Sequence, residues 1–598
     1  IDRKVAYVFD NKDKMLFPRV GHTEGSRPDL YKGPWGMDSP PSMGDNLSFM
    51  FKYQFGWMYM RYFMWNFVGR QNDEQGLWGD KKNGNWVSGI NVIDGMRLGS
   101  QSYLPDHIKN NPNRNTFYFL PLLLGLLGLV FHFTNDSKRA FVIFLLFFFC
   151  GVSIIIQGNS PPIEPRERDY IFAASFYAFT IWLGIGLVAL YDILKSYMSG
   201  KTAASLAIVL CLSVPALMGF QGWEDHDRSG RYAARDFAAN YLNSCAPNAI
   251  LFTQGDNDTY PLWYAQEVEG IRRDVRVVNL SLLGVDWYIE QLRRKVNDAA
   301  PVPMTLSSDK VRGTERDVVY FKENTAIAPP NTSVELKEIL RFIADSSPQS
   351  RIQGEVDYYP TRNFKFKVNQ ANFAKHNALA PEDTARQVSE IEWRLSKQSL
   401  YKNDLMVLDI IAANDWKQPL YFAISVAPDS YLGLEKYFQL EGLAYRLVPA
   451  EVQYPTDPAS GRVDKSQRGT VHPDIMYDNL KNKFKFGNIE TPGIHVDTDL
   501  RRMVFNFRGN FARLAESFLK RGDKQKAIEV LDYSQKMMPD HAAQYNFYMF
   551  TTIDAYYAAG AYEKANELTE TVATRLVDEL KYIERLPKSE RKYWDQEL

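Results

Sequence analysis

The run Gln157-Gly-Asn-Ser-Pro-Pro-Ile-Glu-Pro-Arg-Glu-Arg-Asp-Tyr170 sets Glu164, Arg166, Glu167, Arg168 and Asp169 between two strongly apolar stretches. Ionised groups beside hydrocarbon persist where they pair, snorkel or bind something. A second charged run, Trp223-Glu-Asp-His-Asp-Arg228, follows another apolar stretch. Placed on one membrane face, the two runs could hold a lipid diphosphate through arginine and supply a carboxylate as base. The plainer accounts are a solvated turn whose prolines stop one helix and whose acids start the next, and an ion-pair network at the membrane surface. His226 is a possible metal contact, but one histidine among acids is not a specific signal.

A third constellation, Asp256-Asn-Asp258, follows an expected strand. An Asp-x-Asp there is where soluble nucleotide-sugar transferases hold a metal, and a divalent metal is the one cofactor this sequence suggests. The same residues also make a good helix start, with Asp258 or Thr259 as cap and the acids facing the helix dipole. The chain has no Gly-x-Ser-x-Gly elbow, phosphate-binding Gly-Lys-Ser/Thr loop, zincin pair or Cys-x-x-Cys, which argues against hydrolase and nucleotide-driven pump chemistry.

The elements that must position these residues begin with four apolar segments: Thr116 to Phe133, Ala140 to Ile156, Ile171 to Tyr191 and Ala203 to Phe220. Each approaches the roughly 17 to 25 residues that cross hydrocarbon, and runs such as Phe-Leu-Leu-Phe-Phe-Phe at 144 to 149 are apolar on every face. Four spans make a thin bundle, so further membrane helices are expected from the same gene product or a partner. Four spans also put both termini on one side with the 157 to 170 loop. The basic residues near the membrane would place that side in the cytoplasm, although several of them sit in acid-rich clusters. Before the spans, Asp45 to Arg70 reads as a helix crowded with Phe, Tyr and Trp, simplest as an interfacial helix on the bilayer, with a fifth span as the alternative. Gly69 to Gly99 reads as an ordered loop.

Beyond Phe220 the chain is soluble in pattern. Strands are expected at Ala249 to Thr253, Val275 to Leu280, Asn363 to Val368 and Leu420 to Val426. Helices are expected at Pro261 to Glu269, Val285 to Lys295, Ser333 to Asp345 and Leu405 to Ala413, which is an α/β layer with parallel pairing. Thr456 to Gln467 reads as an exposed loop. From about Asn510, Gly522-Asp-Lys-Gln-Lys-Ala527 and Gly560-Ala-Tyr-Glu-Lys-Ala565 suggest paired helices at tetratricopeptide-like spacing.

The domain plan is 1–115 a loop region with the aromatic interfacial helix, 116–220 four transmembrane helices, 221–500 a soluble α/β domain and 501–598 a tetratricopeptide-like helical domain. The fold class is a polytopic α-helical membrane bundle with two appended soluble domains. Its 598 residues exceed one core, and 70 basic against 71 acidic residues leave no field for nucleic acid. Cys150, Cys211 and Cys245 support neither a disulfide framework nor a thiolate metal site.

Trp65-Asn-Phe-Val-Gly-Arg-Gln-Asn-Asp73, Pro165-Arg-Glu-Arg-Asp-Tyr170, Trp223-Glu-Asp-His-Asp-Arg228, Gly255-Asp-Asn-Asp-Thr-Tyr-Pro-Leu-Trp263 and Leu440-Glu-Gly-Leu-Ala-Tyr-Arg446 together resemble the Bacteroidetes protein O-mannosyltransferase-like membrane family. The resemblance covers most of the chain. It implies a C-type glycosyltransferase fold in the bacterial inner membrane with periplasmic soluble domains, overriding the charge count, and on the resemblance alone the 1–115 loop region is extracytoplasmic. It implies transfer of a sugar from a polyprenyl-phosphate carrier to a hydroxyl acceptor, a glycan or Ser/Thr of a secreted protein. On that reading Arg166 and Arg168 contact the carrier phosphate, Glu164, Glu167 and Asp169 orient them, and Asp225, His226 and Asp227 are candidates for acceptor or metal contact. The chain begins at Ile1 and its first span is followed by a short turn, so the catalytic base is expected upstream of Ile1. The alternative is a non-enzymatic membrane scaffold that recruits partners through its soluble and helical-repeat regions.

Overall fold

The computed structural model describes residues 16–20, 31, 41–164, 166–376, 379–452, 468–586 and 591. The chain divides into two compact units, Ile1–Arg228 with Ala573–Leu598, and Ser229–Val572.

In the second unit, the described residues form a mixed sheet whose parallel heart is Arg276–Asn279, Ile250–Thr253 and Leu420–Ala423 in that spatial order. These strands are buried on both faces, as parallel strands covered by helices must be. Phe252 registers against Phe422 with ring centroids 4.8 Å apart. The sheet continues through Ala444–Leu447 and Phe438–Leu440, both antiparallel to their predecessors, and ends on Thr470–Val471. The expected α/β layer is present, and its helices include Gly255–Glu267 and Asp286–Leu292. Two small sheets carry strands the alternation pattern misses, among them Val318–Phe321, Val356–Tyr359 and Glu390–Arg394. These are short or half-buried, so tertiary pairing rather than local pattern makes them strands. The expected loop at Thr456 to Gln467 lies outside the described residues.

Four helices follow: Thr498–Lys520, Lys524–Met537, Phe550–Ala559 and Tyr562–Glu584. Gly522 and Gly560 take φ of 81° and 84° at the two tight turns, a conformation that favours glycine. The first two helices pack together and Phe550–Ala559 packs on both. Tyr562–Glu584 runs past Val572, where this unit ends.

The first unit is built on apolar helices. Among the described residues, Ser137–Gly158, Asp169–Lys195 and Gly200–Gln221 are long and apolar enough to cross a membrane, which marks the chain as a membrane protein. The stretch expected from Thr116 departs from this. Phe117 and Tyr118 donate their amides to the Val68 and Ser88 carbonyls at 2.8 and 3.0 Å, and Tyr118 and Phe119 turn left-handed at φ 53° and 60°. The helix therefore starts only at Leu120, with Pro121 in its first turn, and covers 16 residues to Asn135. That is about 24 Å against roughly 30 Å of hydrocarbon.

The aromatic helix also differs from expectation. It begins at Met43 under a capping box in which Ser42 and Asp45 exchange hydrogen bonds, passes through a wide-turned stretch at Met50–Met60, and ends at Phe67. Most of its rings face inward, although Phe51 is exposed. Tyr59, Tyr62, Phe63, Trp65 and Phe67 are buried in one cluster with Phe172, Phe176, Phe179 and Trp182. Phe63 and Phe67 approach Phe179 at 4.9 and 4.6 Å. An aromatic stripe this dense finds more apolar area inside the bundle than at headgroups.

Helix Leu120–Asn135 meets Ala173–Lys195 through glycine. A methyl group on Gly128 would sit 1.8 Å from the Trp182 carbonyl oxygen, whereas one on Gly184 meets nothing within 4 Å. Close backbone approach of this kind is what small residues permit in membrane helices. Gly128→Val should force the helices apart and cost about 1–3 kcal/mol, read as a lowered unfolding temperature of the detergent-solubilised chain. Gly184→Val should leave that temperature unchanged, and equal effects at the two sites would refute the packing argument.

Candidate functional site

The 157 to 170 loop is held against the aromatic helix at two places, from Asn159 to Pro162 and at Glu167 and Arg168. Helix Val152–Gly158 ends at Asn159, which turns left-handed. Gln54 Nε2 then donates to Asn159 Oδ1 at 3.0 Å and to the Ser160 carbonyl at 3.1 Å, and Tyr53 Oη donates to the Pro162 carbonyl at 2.6 Å. Two helical turns further on, Arg61 and Tyr62 take the other end of the loop.

Arg61 is the centre of that attachment. Its guanidinium lies 4.1, 4.5 and 4.7 Å from the rings of Trp57, Tyr62 and Trp65. Nε donates to the Trp57 carbonyl at 3.0 Å and Nη1 to the Gly84 carbonyl at 2.8 Å. The fork donates to Glu167, Nη1 to Oε1 at 3.0 Å and Nη2 to Oε2 at 2.7 Å. The two side chains are 3% and 14% exposed, so this is a buried, bidentate ion pair. Glu167 also accepts from the Gly76 amide at 2.9 Å and from the Tyr62 hydroxyl. Burial pulls the Glu167 carboxyl upward, but the Arg61 fork, the Tyr62 hydroxyl and the Gly76 amide outweigh it and hold the group below its usual range. Four donors occupy its oxygens, so Glu167 is neither a free base nor a ready metal ligand.

The other loop residues divide by direction. Glu164 has its carbonyl bound by Gln75 Nε2 at 2.7 Å, and its Oε2 stands 3.0 Å from Arg168 Nε, close enough for charge pairing without hydrogen-bond alignment. Arg168 is 38% exposed, and its amide donates to Tyr62 Oη at 3.2 Å. Arg166 is exposed, its guanidinium 5.9 Å from the Tyr170 ring. Asp169 opens the turn Asp169–Phe172 that leads into the next helix. Thus Glu164 lies against Arg168, whereas Glu167 is spent on Arg61. Arg166 and Arg168, one on each side of Glu167, are the cations the loop presents. Two guanidinium groups so placed can neutralise and fork-bind a phosphate.

The Trp223 run forms one short helical turn, Trp223–His226. Asp225 accepts from Asn115 Nδ2 at 2.8 Å. His226 Nδ1 lies 2.7 Å from the Gly222 carbonyl, which can only accept, so that nitrogen carries the proton. Asp227 is exposed, and Arg228 donates back to the Asp225 and Asp227 carbonyls. These bonds tie the run to the Asn115 loop and to itself. In the second unit, Asp256 and Asp258 stand in the first turn of Gly255–Glu267, six residues ahead of the expected start, at the carboxyl end of Ile250–Thr253. Among the described residues no three His, Cys, Asp or Glu side chains converge as a metal site.

Arg61, Tyr62, Gln75 and Gly76 are absent from the residues chosen from sequence. The available signal was an arginine amid Trp57, Tyr62 and Trp65, the pattern of a cation boxed by rings. Its partner, 106 residues away, carries no local signal. Removing one side of this pair leaves a buried charge alone. Glu167→Gln should therefore cost about 3 kcal/mol, and Arg61→Met/Glu167→Gln less than the sum of the single changes, by thermal unfolding in detergent. Because the folded carboxyl sits below its unfolded value near 4.5, the pair's contribution is full above that pH and is lost as pH falls through the lower folded value. Additive single changes, or a Glu167→Gln variant with the wild-type acid profile, would contradict the coupling.

Residues 234–467 match the family model described as TMEM260-associated domain 2, wholly within the second unit. Residues 1–51 match a family of unknown function, DUF8416. The 157 to 170 loop lies in neither stretch. No solved structure matches the chain.

Proposed function

We propose that this chain serves a membrane glycosyltransferase, in which the loop carrying Arg166 and Arg168 holds the phosphate of a polyprenyl-linked sugar donor. The observation that carries this reading is that Arg166 is exposed and Arg168 partly so, on a loop held by Arg61 and Tyr62 between two apolar helices. In the reaction the acceptor hydroxyl oxygen bonds to the anomeric carbon, and the bond from that carbon to the phosphate oxygen breaks. The hydroxyl proton passes to a base, and the carrier phosphate leaves with added negative charge. Arg166 and Arg168 stabilise that charge where it develops. The match of residues 234–467 to a TMEM260-associated domain supports a place beside protein O-mannosyltransferase-like proteins. The acceptor on this reading is Ser or Thr of a secreted protein, or a glycan hydroxyl. The membrane is the bacterial inner membrane, with the soluble unit on the periplasmic side, further membrane helices completing the bundle and tetratricopeptide-like pairs at the end.

Replacing Arg166 and Arg168 together with alanine should abolish sugar transfer in membranes while leaving the protein abundant. Arg166 is exposed, and Arg168 keeps 38% of its side chain exposed with Glu164 as its ion-pair partner, so the double change removes one surface ion pair and no apolar packing. Full transfer by Arg166→Ala/Arg168→Ala would end the assignment, and would favour a scaffold whose charged loop is structural.

A further inference from the structure

We infer that Arg61 is a positioning residue for the phosphate-holding loop, acting through Glu167 on Arg166 and Arg168; this rests on the carrier-phosphate reading. Arg61 is almost wholly buried, and its donors are committed to the Trp57 and Gly84 carbonyls and to Glu167. It therefore acts on a ligand only by where it puts Glu167. The two arginines are the immediate chain neighbours of Glu167, their Cα atoms each about 3.8 Å away. The Arg168 amide is bound by Tyr62, whose hydroxyl also donates to Glu167, so the same network fixes the backbone on the C-terminal side. On the N-terminal side Gln75 holds the Glu164 carbonyl and Gly76 holds Glu167. The backbone that carries the two arginines is thus held by a network centred on one forked contact. A lysine at position 61 would keep the charge, but a single ammonium cannot make the planar fork or fill the box of three rings.

The test uses the full chain in lipid nanodiscs, with undecaprenyl phosphate as probe and undecaprenol, which lacks the phosphate, as comparator. Arg61→Lys should weaken undecaprenyl phosphate binding about tenfold, leave undecaprenol retention unchanged and unfold near the wild-type temperature. In a transfer assay it should raise KM for the donor and leave kcat near wild type, a split that general loss of structure does not give. Unchanged phosphate affinity in Arg61→Lys, with binding lost in Arg166→Ala/Arg168→Ala, overturns the positioning role and leaves the phosphate site standing. Wild-type binding by Arg166→Ala/Arg168→Ala removes the site and this inference together. Should Arg61→Lys unfold early, Tyr62→Phe carries the test, because it removes the partner of the Arg168 amide: weakened phosphate binding supports the role and unchanged binding overturns it.

Discussion

A guanidinium shut inside three aromatic rings must have its donors met, and the first unit is arranged around meeting those of Arg61. Desolvating such an ion costs several kcal/mol, returned only by an opposed charge of good geometry and further hydrogen bonds. Glu167 supplies the charge, and the Trp57 and Gly84 carbonyls supply the rest. Each partner comes from a different segment, so the aromatic helix, the turn around Gly84 and the 157 to 170 loop cannot move independently. The polar residues between Arg70 and Asn115 follow the same logic. Gln71, Asn72, Asn85, Ser88 and Asp94 are buried there and bonded to one another or to nearby backbone, as when Asp94 accepts from the Ser88 and Gly89 amides at 2.8 Å. Polar closure works beside apolar burial here, since Val87 and Leu98 are shut in and Leu104 and Ile108 pack with Tyr582, Ile583 and Leu586.

The second unit repeats the device for a structural end. Leu440-Glu-Gly-Leu-Ala-Tyr-Arg446, one of the segments that carry the family resemblance, sets an acid and an arginine in one short motif. Folded, Glu441 lies 3.4 Å from Arg446, accepts from the Tyr421 hydroxyl at 2.5 Å and from Gln439 at 2.7 Å, and is almost completely buried. The intervening turn is fixed by Asn479 on the Glu441 carbonyl, by Ser244 on the Leu443 amide and by Asn510 on the Gly442 carbonyl. The motif thus joins the sheet to the helices that follow it. Nothing about it faces solvent, which separates it from the loop bearing Arg166.

What was legible in the sequence depended on the range of the signal. Apolar helices from Ser137 onward and the strands Ile250–Thr253, Arg276–Asn279 and Leu420–Ala423 are written in local runs, and the structure forms them within a few residues of expectation. The stretch from Thr116 to Phe119 is apolar too, yet it is claimed by hydrogen bonds to Val68 and Ser88, which no local pattern reports. The aromatic helix was visible as a helix, but its surroundings were not: ring density alone does not distinguish a headgroup layer from a bundle interior, and the choice is made by Phe172, Phe176 and Phe179 more than a hundred residues on. The charged loop was visible as a cluster, whereas its internal division of labour was not. Adjacent acids look equivalent until Arg61 takes one of them.

That division decides the character of the loop. Four donors on Glu167 keep it ionised yet consume its capacity to accept, so its negative charge is spent inward on Arg61. Glu164 offsets Arg168 only in part, because their atoms are close without hydrogen-bond alignment and the arginine keeps more than a third of its surface. Arg166 is exposed, its guanidinium 5.9 Å from the Tyr170 ring. Asp169 keeps part of its surface, as Arg168 does, so the loop shows both arginines with one acid still beside them. Formal charge summed over sequence misses this division, because Glu167 is spent on a buried partner while Arg166 stays exposed.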